Sequence, residues 1–236
     1  MVTGGNMRVE EAVREIPPLA KIGYDRFRRH CPAAFVRRRQ PPEAFFSSEE
    51  IAQSFGFVLT GRVKLRKRHV SGADATLDIV VPGNLLCMSR PYACVEYCCD
   101  AVADAPNTRV LIVNRDHFLG LMAESNDAAR YFIHQLGGRS ELLCQRVEEL
   151  SSGRVEQRLG TILLRLAQQI GEVIDGGMFI PLSLSRRDLA DLSATTPETA
   201  TRIMRRLEKA SILATRQNGI LIMSLVGLEA VARGDG

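Results

Sequence analysis

The chain has 236 residues, of which 45% are hydrophobic and 25% charged, and its formal net charge is +4. These proportions are ordinary for a soluble globular protein, and the length fits one large domain or two modest ones. No apolar run approaches the ~20 residues that span a bilayer, and residues 1–15 lack the apolar core of a signal peptide. The composition therefore argues against a helical membrane protein and predicts a cytoplasmic one.

Residues 1–30 are charged and are interrupted by two prolines, with a short amphipathic helix expected around Leu19 to Arg29. The pattern changes in residues 35–115, where short apolar stretches alternate with glycine, proline and asparagine at turns. Such spacing predicts an antiparallel barrel or sandwich. The clearest stretches are 55–59, 63–65, 77–81 and 109–113.

One long helix is predicted from about Asn126 to Leu150. Its apolar positions follow alternating spacings of four and three residues, which is a heptad seam that faces another helix along its length. We expect the seam to join two copies of the chain; a helix packed on its own barrel is the alternative. The seam consists of Ala129, Ile133, Leu136, Ser140, Leu143, Val147 and Leu150.

Positive charge is concentrated near the end of the chain, where residues 183–218 carry seven basic side chains against four acidic ones. A clustered basic face is the electrostatic footprint of a protein that binds a phosphate backbone. We therefore expect a nucleic-acid contact within this segment. A helix is predicted over residues 155–173, before the segment.

Two short helices joined by a tight turn are predicted there. Ser185 to Asp188 has the form of a capping box, with Asp in place of the usual Glu or Gln. Thr196 is a good N-cap and Pro197 suits the first helical position, so the second helix is expected from Thr196 to Lys209. One face of this helix is charged and the other is apolar, the arrangement of a helix-turn-helix. The apolar face consists of Ala200, Ile203, Met204 and Leu207.

In a helix-turn-helix, the N-terminal part of the second helix enters the major groove of DNA. Arg202 can bond bidentately to guanine and Glu198 can accept a hydrogen bond from cytosine, each contact discriminating by about 1–3 kcal/mol. Asn218-Gly219 predicts a hairpin, a wing that brings Arg216 near phosphate. The expected DNA contacts are Ser185, Arg186, Thr196, Glu198, Thr199, Thr201, Arg202, Arg205, Arg206 and Arg216.

An enzyme is not expected, because the sequence contains no Gly-rich phosphate loop, HExxH, GxSxG or paired His/Asp constellation. The leading hypothesis at this point is a DNA-binding regulator.

Several stretches resemble the cyclic-AMP receptor protein/FNR (CRP/FNR) family of bacterial transcription regulators. LSLSRRDLADLSATTPETATRIMRRLEKASILATRQNGILI is similar to the family's winged helix-turn-helix, and FVLTGRVKLRKR and DIVVPGNLL look like strands of its sensor domain. The resemblance covers most of the chain. It implies an alternative to the DNA-binding regulator, which is a cyclic-nucleotide-binding module whose degenerate helix-turn-helix serves only for protein contacts. Glu198, Thr199 and Arg202 match the family's base-reading residues.

The resemblance implies an α+β fold. Its parts would be an antiparallel β-roll sensor domain over residues 1–125, a dimerisation helix over 126–152 and a winged helix-turn-helix over 153–236. It also implies a homodimer on a near-palindromic operator in double-stranded DNA, with a TTGA- or TGA-containing half-site. RNA polymerase would be a partner if the protein is an activator.

Two departures from the family pattern stand out. The turn between the two helices usually contains Leu-Gly, where this chain has Leu192-Ser193. Cyclic-nucleotide binders of the family carry Gly-Glu followed by Arg-Ser or Arg-Thr around the cyclic phosphate. Here Gly83 is followed by Asn84, and the Arg-Ser pair falls about where Cys98-Cys99 stand. Cyclic AMP is therefore not expected as the effector.

Four of the six cysteines lie in the region where the family binds its effector. FNR-like members ligate an iron–sulfur cluster through cysteine thiolates, although their cysteine spacing differs from the spacing here. An iron–sulfur cluster is the leading hypothesis for the cofactor. The expected ligands are Cys87, Cys94, Cys98 and Cys99, with Cys31 and Cys144 as alternates.

Other interpretations of the cysteines stay open. They are a thiol/disulfide or soft-metal switch, haem bound through a Cys or a His, and structural cysteines with another small effector or none. In a regular strand Cys98 and Cys99 would point to opposite faces, so a turn is needed if both are to bind one ion.

Overall fold

The computed structural model describes residues 8–68, 74–86, 96–152 and 154–235. The chain divides into two compact units, Met1–Glu141 and Leu142–Gly236, and the division falls inside one long helix. The domain limits predicted at residues 125 and 152 stay predictions. Each unit is considered by itself below.

The first unit begins with three short helices, α1 (Val9–Glu15), α2 (Pro17–Ile22) and α3 (Tyr24–His30). The single helix predicted from Leu19 to Arg29 was therefore wrong. Gly23 has a φ of +84°, and this left-handed residue separates α2 from α3.

Within the described residues eight strands follow, and every pair of neighbours is antiparallel. They form two four-stranded sheets, in the orders β1-β8-β3-β6 and β2-β7-β4-β5. The predicted barrel or sandwich is confirmed, and its four apolar stretches lie largely in β3, β4, β5 and β8. The strands are β1 (Phe35–Arg39), β2 (Ala44–Phe46), β3 (Ser54–Thr60), β4 (Val63–Arg68), β5 (Asp74–Val80), β6 (Leu85–Leu86), β7 (Asp100–Ala103) and β8 (Thr108–Asn114).

Strand β3 separates two apolar clusters because its side chains alternate between faces. Phe55 and Phe57 pack with Phe118 against the helices, with ring centroids 5.6 and 5.4 Å from that of Phe118. Val58 faces the other cluster, which lies between the sheets and contains Phe46, Tyr97 and Cys99. This second cluster fills the interior between the two sheets.

Two helices complete the first unit, α4 (Arg115–Glu124) and α5 (Asn126–Ser152), and α5 continues into the second unit. The long helix predicted from the heptad pattern is observed in α5. Its residues Ala128, Tyr131 and Phe132 are buried in the apolar cluster that also contains Phe55, Phe57 and Phe118. The Tyr131 hydroxyl donates to the Gly83 carbonyl at 2.9 Å.

The second unit is a helical module with one small sheet of order β11-β12-β10-β9. The helix predicted over 155–173 ends at Ile170, because Gly171 closes it and residues 172–174 pair with β10 as a strand. The elements are α6 (Val155–Ile170), β9 (Glu172–Ile174), β10 (Gly177–Ile180), α7 (Arg186–Leu192), α8 (Pro197–Lys209), β11 (Leu213–Arg216), β12 (Gly219–Ile222) and α9 (Leu225–Arg233).

Candidate nucleic-acid interface and cysteine pair

The predicted capping box at the start of α7 is confirmed. The Ser185 hydroxyl oxygen accepts from the backbone N–H of Asp188 at 3.0 Å, and the Asp188 carboxylate accepts from the Ser185 N–H at 3.1 Å. The Ser185 hydroxyl also donates to that carboxylate at 2.7 Å. These reciprocal bonds satisfy backbone donors that a helix start otherwise leaves unpaired.

Helix α8 begins and packs as the sequence predicted. The Thr196 hydroxyl oxygen accepts from the backbone N–H of Thr199 at 3.3 Å, and Pro197 occupies the first helical position. All four residues of the predicted apolar face are buried: Ala200, Ile203, Met204 and Leu207. Burial of this face turns the opposite, charged face outwards.

The turn between α7 and α8 is held by a residue that the sequence did not single out. Arg158 of α6 donates from Nε to the Ser193 carbonyl at 2.8 Å and from Nη2 to the Ala194 carbonyl at 3.3 Å. Ala194 is the left-handed residue of the turn, with a φ of +48°. The position that suits glycine is therefore Ala194, not the Leu192-Ser193 pair identified from the sequence.

The outward face of α8 forms an open groove of about 460 Å³, lined by Pro197, Glu198, Thr201, Arg202 and Arg205. Glu198, Arg202 and Arg205 are exposed, and none of them forms an ion pair with any described residue. The Thr201 hydroxyl donates to the Pro197 carbonyl at 2.7 Å. The groove thus presents one carboxylate and two guanidinium groups to solvent.

Other predicted contact residues are engaged within the domain. Arg206 forms an ion pair with Glu156 of α6. Arg186 lies 3.7 Å from the Glu208 carboxylate and donates to the Thr215 hydroxyl at 3.3 Å. The contacts of Arg186 tie α7 to α8 and to the first strand of the predicted wing.

The predicted wing is the hairpin of β11 and β12. Arg216 pairs with Gly219 across its turn and is exposed. A Cβ on Gly219 would lie 2.1 Å from the Ile180 carbonyl oxygen. Glycine at this position therefore lets β12 approach β10, which fixes the hairpin to the rest of the domain.

The cysteines proposed as ligands are only partly within the described residues, because Cys87 and Cys94 lie outside them. Cys98 is exposed, Cys99 is buried, and their Sγ atoms lie 3.6 Å apart on a bend before β7. This bend is the turn that the sequence required if both thiols were to face one ion. In the described parts of the chain, no three Cys, His, Asp or Glu side chains are grouped as metal ligands.

The two alternate cysteines have different surroundings. Cys31 is fully buried beside α3, and its burial raises the pKa of the thiol to about 12. Cys144 is exposed on α5.

Two domain families match the chain. The Crp-like helix-turn-helix domain matches residues 157–231, and the cyclic nucleotide-binding domain matches residues 36–125. The chain belongs to the CRP/FNR family. This regulator therefore carries the family's DNA-binding helix-turn-helix beside a domain of cyclic-nucleotide-binding type, as the resemblance implied.

Two curated relatives extend the likeness over most of this CRP/FNR chain. A cyclic AMP receptor protein of Thermus thermophilus is 24% identical over 203 residues, 85% of this chain and 90% of the relative. The nitrogen fixation regulation protein FixK of Bradyrhizobium diazoefficiens is 27% identical over 198 residues, 80% of this chain and 78% of the relative. The first is named as a receptor protein and the second as a regulation protein.

The fold also matches a solved structure of FixK2 from Bradyrhizobium japonicum. The TM-score is 0.73 at 21% identity, covering 84% of this chain and 97% of that one. None of the described helices has the length and hydropathy needed to cross a membrane.

Proposed function

We propose that this regulator acts as a homodimer that reads a near-palindromic operator, with Glu198 and Arg202 of α8 contacting base edges. The observation that carries this is the groove on α8. Glu198 and Arg202 are four residues apart and so share one helix face. Because neither is neutralised by an ion pair among the described residues, both side chains are available to bases.

The remaining contacts divide by position. Arg205 lies in the same groove as the base readers, and Arg216 lies at the tip of the wing. We assign both to the phosphate backbone, where cationic side chains contribute affinity but little sequence information. Ser185, Thr196 and Thr201 serve first to cap or bond their own helices, and Arg186 and Arg206 are oriented by carboxylates.

The homodimer is proposed from the seam on α5. Ile133, Leu143 and Val147 are 67%, 54% and 64% exposed in the single chain, and Leu136 is also exposed. Ser140 is exposed and Ala129 half-buried, while the side chain of Leu150 falls outside the described part of α5. An apolar heptad stripe left in water is what a second, identical helix covers.

We further propose that the signal controlling DNA binding acts through the cysteines of the sensor domain rather than through cyclic AMP. The interior between the sheets is occupied by side chains, with the Phe46 and Tyr97 ring centroids 4.6 Å apart. A cysteine pair stands about where nucleotide binders of the family place Arg-Ser. Both features disfavour an anionic cyclic phosphate at this position.

An iron–sulfur cluster remains the leading cofactor hypothesis. A cluster held by cysteines takes four thiolates, and the described residues supply two that face each other, Cys98 and Cys99. Cys87 and Cys94 are proposed as the other two. A regulator with structural cysteines and another small effector is the second candidate, favoured by the burial of Cys99 in an apolar cluster.

Selection of bound DNA from a random pool, with anaerobic and aerobic protein in parallel, tests the base-reading assignment. Wild type should enrich one near-palindromic sequence. Arg202→Ala should lose that preference and keep weak, salt-sensitive binding, since each lost base contact is worth about 1–3 kcal/mol. Arg233→Ala, an exposed arginine on α9 paired with Asp235, is the control and should enrich the wild-type sequence.

The base-reading assignment is wrong if Arg202→Ala and wild type enrich the same sequence equally well. The cofactor is tested separately, by the absorption spectrum and metal content of anaerobically purified protein. A colourless protein without iron or zinc, whose DNA affinity does not respond to oxidant, would contradict both the metal and the redox proposals.

A further inference from the structure

The bend before β7 brings two thiols together. Cys98 is exposed, Cys99 is 2% exposed, and their Sγ atoms are 3.6 Å apart. Two thiolates on one tetrahedral ion, with metal–sulfur bonds of ~2.3 Å, stand about 3.8 Å apart. The pair therefore has nearly the separation that binding to one shared ion requires.

The same pair is poorly placed for a disulfide. A disulfide has a sulfur–sulfur bond of about 2.05 Å and joins Cα atoms about 4.4–6.8 Å apart. Consecutive Cα atoms across a trans peptide are only about 3.8 Å apart. A bond between Cys98 and Cys99 would strain the backbone, so ion binding is favoured over oxidation to a disulfide.

Contacts on both sides hold the bend in place. The Tyr97 hydroxyl donates to the Ser54 carbonyl at 3.1 Å and accepts from the Ser54 N–H at 3.2 Å. The Asp100 carboxylate accepts from the N–H and the hydroxyl of Ser48, both at 2.8 Å. Because the residues before and after the pair are fixed, binding an ion orders little additional backbone.

We infer that Cys98 and Cys99 form a two-thiolate site for a soft, thiophilic metal ion. Thiolate ligands select ions such as Zn²⁺ and Cu⁺ over hard cations. Binding a divalent ion forms two metal–sulfur bonds and releases the two thiol protons to solvent, without electron transfer. Exposed Cys98 gives the ion its entry, and buried Cys99 connects the site to the cluster of Phe46 and Tyr97.

This inference rests on the proposed cysteine-controlled function only for its effect on DNA binding. The site itself is tested with Cd²⁺ alone, titrated into reduced full-length protein under anaerobic conditions. The readout is the ultraviolet charge-transfer band between thiolate and cadmium. Wild type should bind Cd²⁺ with this band, and Cys98→Ser should bind about 100-fold more weakly, since the second thiolate acts at high effective concentration.

Cys144→Ser is the matched control, because it removes an exposed thiol elsewhere on the chain. It should leave Cd²⁺ affinity unchanged. The inference is overturned if Cys98→Ser binds like wild type, or if Cys144→Ser weakens binding as much. A variant that keeps only Cys98 and Cys99 as its cysteines should still bind one Cd²⁺. The inference is also overturned if this variant folds and binds no Cd²⁺. If the variant does not fold, the result with Cys98→Ser decides.

Gel shifts with metal-free and Cd²⁺-loaded wild type separate the site from its role. If Cd²⁺ binds at the pair and changes DNA affinity, both the site and the proposed control are supported. If Cd²⁺ binds there and DNA affinity is unchanged, the metal site stands and its control of DNA binding fails.

Discussion

Ala194 lies in the turn between α7 and α8 in a conformation that favours glycine, with a φ of +48°. A left-handed conformation costs a residue with a Cβ about 1–2 kcal/mol, and Arg158 holds the turn in this shape through two carbonyls. Alanine therefore stands at the position of the turn whose backbone conformation favours glycine.

Ala194→Gly is expected to raise the free energy of unfolding by up to about 1 kcal/mol, because relief of strain exceeds the ~0.4–1 kcal/mol of added freedom in the unfolded chain. Urea denaturation followed by circular dichroism measures the change. Ala190→Gly, inside α7, is the control and should destabilise by about 1 kcal/mol. A destabilising Ala194→Gly would show that the turn is not strained.

Cys31 and Cys144 should differ in reactivity. Burial raises the pKa of the Cys31 thiol to about 12, so the thiol stays protonated at neutral pH and only the thiolate reacts. Iodoacetamide should modify exposed Cys144 in the native protein and leave Cys31 unmodified until the protein is denatured. Peptide mass spectrometry measures both sites, and equal labelling rates would contradict the burial argument.

At the scale of elements, the helix-turn-helix depends on local signals that lie within a few residues of each other. The capping box of α7, the Thr196 cap and the apolar face of α8 all follow from short sequence spacings, and all three are observed. These features are predictable because the atoms that interact are on the same turn of helix or the next one.

Ser185→Ala should destabilise the helix-turn-helix by about 1 kcal/mol, because the first turn of α7 loses its cap and the buried Asp188 carboxylate loses the hydroxyl donor. Denaturation followed by far-ultraviolet circular dichroism measures the loss. Ser183→Ala, at an exposed position two residues earlier, should change stability little. Equal effects of the two substitutions would rule out the capping role.

At the scale of the whole molecule, α5 has two apolar faces with different roles. Ala128, Tyr131 and Phe132 are buried within the first unit, whereas the seam residues Ile133, Leu136 and Ser140 of that unit are exposed. These three exposed residues do not pack on the barrel of the first unit. A neighbouring set of residues on the same helix makes that contact.

Leu143→Glu is expected to convert the proposed dimer to monomers, because it would place two carboxylates in an apolar seam at a cost of several kcal/mol, which is at least about 100-fold in the dissociation constant. Sedimentation equilibrium measures this. His134→Glu, exposed on α5 but outside the seam, should leave the dimer intact. If both variants remain dimeric, the seam is not the interface.

The sequence by itself determined the elements whose signals are local. Periodicity identified α5 and the buried face of α8, caps located the starts of α7 and α8, and the charged face of α8 marked Glu198 and Arg202 as candidate base readers.

Only the tertiary structure decided that Arg158 donates hydrogen bonds to the turn and that Ala194 is the left-handed residue of that turn. It also decided that the bend before β7 brings the Cys98 and Cys99 sulfurs within 3.6 Å. Tertiary contacts position both Arg158 and the bend. Arg158 lies 35 positions from Ser193. Tyr97 and Asp100, which hold the bend, bond to Ser54 and Ser48, which lie 43 and 52 positions away along the chain. Spacing along the chain carries no record of such pairs.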